Sequence, residues 1–386
     1  MLSKYTFLLF ILILEPAACG TAGKDAGATE INGLPIAGSS HHGMAIAATN
    51  VDESITSSRL YYYEFSTGKV LELLGAESGN PAVFSAGNKV FLFNRSSEVE
   101  NFRSFDPKAS PIVPSEPVAL TGLSDGDPWD VAPLKAGETL LLASPLGGKL
   151  QVLDINSGVL GDATSSTLAS DVIRPHALLK QNNRIYIAHS GIGSTGAADG
   201  TQQLYSGQVT AEGVLSLTDQ DPGTPGIVDG RPLSATNPAG FLDVGADSAV
   251  VAGLCPESMP GCVAGADRIS LANGAVSNIA ALSSLPIQVV SGMGDGLAPN
   301  VVYAHVKNAE GVYEIVSIDL TTKQLTTVHT YSDARLYGFA YDTATRTLIV
   351  GSRDGLSGGV YLYRDGQLAG SFSLPGVPYH VALVKN

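Results

Sequence analysis

A short apolar run that ends in small or polar residues recurs seven times along this chain. The runs begin at positions 43, 89, 139, 184, 248, 300 and 347, at spacings of 46, 50, 45, 64, 52 and 47 residues. A period of this length is the mark of one supersecondary unit used repeatedly. Each run has similar neighbours. A strand-like segment precedes it, as at 81–87, 129–134, 176–181, 240–245, 288–293 and 337–342. A third follows, as at 59–65, 149–155, 313–319 and 359–365, and a fourth closes the unit, as at 69–74, 324–330 and 367–373. The segments are β-branched and aromatic, and Gly, Asn and Asp punctuate them. No long helical periodicity follows residue 40. Four antiparallel strands repeated radially make a β-propeller.

The first unit lacks its innermost strand on the N-terminal side. The missing strand is found at the other end, as YHVALV at 379–384. The expected fold is therefore all-β, a seven-bladed propeller over residues 41–386, closed by pairing of the C-terminal strand with the N-terminal blade. Such closure removes the free sheet edge that an open array would expose.

The repeat length, the strand order and turns such as Ser66-Thr67-Gly68 and Asn156-Ser157-Gly158 resemble the seven-bladed propellers that include YVTN-type surface proteins and bacterial lactonases. The resemblance covers nearly all of 41–386 and implies the fold. It carries over no site residue, because no catalytic motif of those families is matched.

The N-terminus carries an address. Lys4 precedes an apolar run from Tyr5 to Leu14, which has the length of a signal-peptide core and is short for a membrane span. Pro16-Ala17-Ala18-Cys19 then resembles the lipobox of bacterial lipoproteins, although Pro16 stands where that motif usually has Leu. The resemblance implies cleavage before Cys19 and acylation of that cysteine. Gly20 in place of Asp after it resembles outer-membrane sorting. Residues 1–18 are thus read as a lipoprotein signal peptide and 19–40 as a flexible tether. The other reading of the same residues is plain secretion with cleavage after Ala18.

Outside the cytoplasm, Cys255 and Cys262 in CPESMPGC read as a disulfide, which for so short a loop contributes about 2.5 kcal/mol. The same spacing, with Met259 between the thiols, is also open to a soft metal. The net charge of −14 argues against a nucleic-acid partner held by phosphate neutralisation.

In a four-stranded blade with strands A to D counted outward, the B–C and D–A connections share one face. Here these are the long ones, including 161–173, 189–203, 218–237 and 254–266. The opposite turns are short, apart from the Pro-rich 106–117 segment. Long loops on a rigid frame are where function concentrates. The A strands enter the channel on that face with Trp129, His176, Gln288, Tyr337, Tyr379 and His380. The ends of the B strands add Arg95, His189, His305 and Arg353. These side chains can stack on flat groups and bond their edges. Whether the four histidines meet a metal is open. Asp125, Asp127 and Asp130 only loosely resemble a calcium loop.

No Ser, His and acidic residue stand out as a triad, and no phosphate-cradling Gly-rich loop that opens a helix is present. For a hydrolase or lactonase, His176 with Asp130 is the pair that position offers. The sequence therefore reads as a binding protein, not an enzyme, with no cofactor. It is expected to be a monomer, anchored in the outer membrane through Cys19. It would take a small or medium ligand, with delivery to a transporter as one outcome. The alternative is a scaffold or adhesin that meets another envelope protein. The lipobox reading makes a direct prediction: Cys19→Ala moves the protein from the membrane to the soluble fraction and removes its incorporation of labelled fatty acid. Continued labelling would assign the acyl group elsewhere.

Overall fold

The computed structural model describes residues 31–49, 57–78, 81–94, 100–121, 128–144, 149–163, 167–168, 175–191, 200–220, 223, 227–234, 236, 238–243, 247–253, 261–262, 265–279, 288–294, 301–307, 310–319, 322, 324–331, 338–342, 344–354 and 357–385. Seven antiparallel sheets follow one another along the chain. Blade I is built, from the channel outward, of Val377–Lys385, His41–Thr49, Ser57–Glu64 and Lys69–Ser78. Blades II to VII begin with the inner strands Pro81–Ala86, Asp130–Lys135, Pro175–Gln181, Pro238–Asp243, Gln288–Gly294 and Phe339–Asp342. Each inner strand touches the next around the circle, and the seventh touches Val377–Lys385. The ring is closed as expected, with no helix among the described residues.

The core lies between blades, not within one central cluster. Both faces of each sheet are covered, so successive residues of one strand go to different neighbours. The run Tyr61-Tyr62-Tyr63 shows this. Tyr61 and Tyr63 pack towards blade VII with Ile349 and Phe372, whereas Tyr62 packs towards blade II with Val83 and Leu92. Leu140 and Leu142 likewise face Phe84 and Phe93 of blade II, and Leu141 faces Ile185 and Ile187 of blade IV. This two-sided burial explains why the strands read as continuous apolar runs.

Closure rests on eight Cα pairs, from His41 opposite Lys385 to Thr49 opposite Val377. The incoming strand passes close to blade VII, and glycines make the room. A Cβ on Gly358 would lie 1.8 Å from the Gly376 carbonyl oxygen and 2.7 Å from Pro378 Cδ. Gly376 itself has φ 149°, a conformation that other residues rarely adopt.

The expected tether of 19–40 is corrected where it is described. Ile31–Asn32 forms a fifth, outermost strand on blade I, opposite Val70 and Lys69. Gly33 and Ile36 donate backbone hydrogen bonds to Gly68 and Phe65, and Ile36 is buried. Leu34 lies across Gly370 of blade VII, and its carbonyl accepts from Tyr63 Oη. Leu34 and Ile36, apolar side chains in a segment read as a flexible tether, make this strap. Residues 19–30 lie outside the described residues.

The strap ends on a buried carboxylate. Asp342 of blade VII accepts from Ser39 Oγ at 2.8 Å, from His41 Nδ1 at 2.8 Å and from the Thr345 backbone N–H at 3.0 Å. Burial alone would raise the Asp342 carboxyl. The hydrogen bonds from His41, Thr345 and Ser39 outweigh it and hold the group down at about 2.

Two outcomes test this seam. Gly358→Ala should cost about 1–3 kcal/mol by overpacking, read as a lower denaturant midpoint; an unchanged midpoint would show that the seam has slack. For Asp342 the folded-state pKa lies below the unfolded value, so its contribution is present above about pH 4 and is lost as pH falls towards about 2. Asp342→Asn should lower the melting temperature at neutral pH and flatten its fall on acidification. A parallel shift at every pH would contradict that role.

Candidate channel mouth

In a propeller the ends of the A strands that meet the B–C and D–A connections border one mouth of the channel. Trp129 stands just before the inner strand of blade III. Its backbone N–H donates to the Ala143 carbonyl at 2.8 Å, and the residue is 39% exposed. A tryptophan with its backbone held and part of its surface open presents contact area at little ordering cost.

Asp130 follows it. Oδ2 accepts the backbone N–H of Leu178, in the inner strand of blade IV, at 2.7 Å. Oδ1 accepts the Val131 N–H at 2.8 Å. The carboxylate therefore joins two neighbouring inner strands. Desolvation pushes its pKa up to about 7, against those two hydrogen bonds. Both Asp130 oxygens are engaged by backbone donors, and Asp125 and Asp127, the other acids of the loose calcium-loop resemblance, lie outside the described residues. No group of three His, Cys, Asp or Glu that would hold a metal ion is found among the described residues.

His176 sits at a bulge in the inner strand of blade IV, between the pairs Pro175–His189 and Ala177–Ala188. Tyr379 occupies the same kind of position in blade I, between Pro378 opposite Ala48 and His380 opposite Ala47. Blade VI has such a shift between Val289 and Ser291. Bulges re-aim side chains and unpair a strand end, and here they recur at the end of the inner strands that meets the long connections.

The other expected residues divide. His189 is only 1% exposed, and its Nδ1 accepts the Gly191 N–H at 3.2 Å. It is buried, so its expected place on the open surface is corrected. His380 is half-buried, with its ring 5.2 Å from that of Phe84 in blade II. Gln288 opens the inner strand of blade VI opposite Lys307. His305 pairs with Ser291 and Ile315, inside its strand. Arg353 pairs with Gly358 near the end of its strand. Tyr337, Arg95 and Cys255 lie outside the described residues, and the Cys255–Cys262 pairing with them.

The 218–237 connection is also more structured than a surface loop. Ile227–Val228 pairs in parallel with Thr167–Leu168. Arg231–Pro232 pairs with Gln203 and Leu204, extending blade IV where its short outer strand stops.

Sequence reasoning weighed Asp130 only as a loose calcium ligand or a partner for His176. Its bond to Leu178, across 48 positions, had no local signal. The signal available was Pro-Trp-Asp at the entry to an inner strand.

No protein-family model and no curated protein sequence matches the chain. Solved structures do resemble it. A protein from Lactobacillus plantarum aligns with a TM-score of 0.56 at 13% identity, over 89% of this chain and 100% of that one. The periplasmic gluconolactonase of Pseudomonas aeruginosa aligns with a TM-score of 0.56 at 14% identity, over 89% of this chain and 99% of that one. At this identity the likeness concerns the fold.

Proposed function

We propose that the chain is an extracytoplasmic propeller, held at the cell envelope through acylated Cys19, that binds a small or medium organic ligand at the channel mouth between blades III and IV. The Cys255–Cys262 bridge belongs to the same reading. The observation that carries it is the partly exposed Trp129 next to Asp130, whose carboxylate joins the inner strands of two blades. Ligand sites combine apolar and aromatic surface with a small number of placed polar groups. The lipobox resemblance and the fold shared with a periplasmic enzyme support the location.

A second reading is an extracytoplasmic hydrolase. It is favoured by the Asp130 carboxyl, whose raised pKa near 7 suits a general acid or base. The structural neighbour named a gluconolactonase makes lactones the first substrates to try.

The test is native mass spectrometry of the protein purified from its own cells. A retained small molecule should be bound about tenfold more weakly, or worse, by Trp129→Ala, the usual scale for an aromatic anchor. Its binding should also shift the emission of Trp129, the only tryptophan in the chain. Unchanged affinity in Trp129→Ala would move the site elsewhere. Lactone turnover that is lost in Asp130→Asn would select the hydrolase reading.

A further inference from the structure

Away from the channel, between blades IV and V, lies a groove of about 420 Å³. One wall is strand Gln203–Val209 of blade IV, and the other is the turn at 272–274 of blade V. Arg184 and Arg231 both line it. Arg184 Nη1 donates to the carbonyls of Leu271, at 3.4 Å, and Ala272, so its guanidinium is fixed to the opposite wall. Arg231 Nε donates to Gln220 Oε1 at 2.8 Å. Arg231 is positioned by the loop-borne strand that replaces the outer edge of blade IV.

The chain has 36 acidic and 22 basic residues, and some of its cations take a carboxylate. Arg59, Lys135 and Arg346 take Glu72, Glu138 and Asp365. Neither Arg184 nor Arg231 has a carboxylate oxygen within 4 Å among the described residues. The one acid lining the groove, Asp219, accepts the Asp229 backbone N–H at 3.2 Å. Ser206 and Asn273 add hydroxyl and amide groups.

We propose that this groove binds a small oxyanion, a carboxylate or phosphate borne on a hydroxyl-rich molecule. Arg184 and Arg231 supply the charged donors, and Ser206 and Asn273 meet the hydroxyls. An arginine held along one edge still offers a planar pair of N–H groups, the geometry that an oxyanion accepts two at a time. Because both are already anchored, little side-chain freedom is lost on binding. The inference is independent of the channel mouth.

Calorimetry on the full chain tests it, with inorganic phosphate, glucuronate and glucose as probes. Saturable binding of phosphate or glucuronate, but not of glucose, is expected. Phosphate alone points to a phosphorylated ligand, and glucuronate alone to a carboxylate. Arg184→Gln and Arg231→Gln should each weaken binding about tenfold or more, the scale of one charged hydrogen bond. Arg231→Lys, which keeps the charge and loses the fork, should fall between, and Trp129→Ala should change nothing. Because Arg184 also ties two blades, the melting curve of each variant is recorded alongside. Failure of both anions to saturate, equal binding of glucose, or unchanged affinity in a folded Arg231→Gln would overturn the proposal.

Discussion

Everything in this molecule depends on one strand pairing. Val377–Lys385 joins His41–Thr49 and thereby makes an annulus out of a linear array. Without it, two sheet edges and the apolar faces beside them would be open to water. The cost is steric. The returning strand must pass Gly338, Gly351 and Gly358 of blade VII, where added Cβ atoms would meet Val381, Pro378 and Gly376 at 3.0 Å or less. The outer strap of residues 31–36 spans the same seam from the other side, and Ser39 and His41 fasten it to Asp342. The junction is thus tied both at the channel and at the rim.

The two-sided burial of each blade has a further consequence. Because every wedge between blades is a separate small core, polar links across a wedge fix one blade against the next. Asp130 to Leu178 does this between blades III and IV, and Tyr186 Oη to the Leu271 carbonyl, at 2.6 Å, does it between IV and V. Each link satisfies a backbone group that strand pairing leaves out, which is why it sits at a strand edge.

The architecture was legible in the sequence, and the site only in part. Strand spacing, blade number and the exchanged strand follow from periodicity, which local residues carry. Side-chain direction does not. A bulge at Tyr379 or His176 shifts register by one residue and turns every later side chain to the other face. His189 stands at the end of a strand that leads into a long loop, so it reads as exposed. In the structure it is buried and its Nδ1 accepts the Gly191 N–H, a backbone contact with no sequence pattern of its own. The partnership of His41 with Asp342 spans 301 positions and rests on ring closure, so it follows only once the fold is known.

The distribution of polar chemistry around the ring follows from where the ends meet. The seam between blades VII and I is crowded by backbone and by small residues, and an insertion there would load the closing strand. Blade IV is farthest from that seam. It belongs to the longest repeat interval, 64 residues between the run at 184 and the next at 248. The surplus is placed as 190–202 and 219–237 between its strands and blade V. Part of it folds back as Arg231–Pro232 and carries a guanidinium to the outer wall of the blade. On the channel side of the same sector, Asp130 joins blades III and IV. A ring closed by its own termini concentrates its packing demands on one side, and the opposite side is free to acquire polar surface. In this chain that is where the exposed tryptophan, the raised carboxyl and the two arginines with no carboxylate partner among the described residues lie.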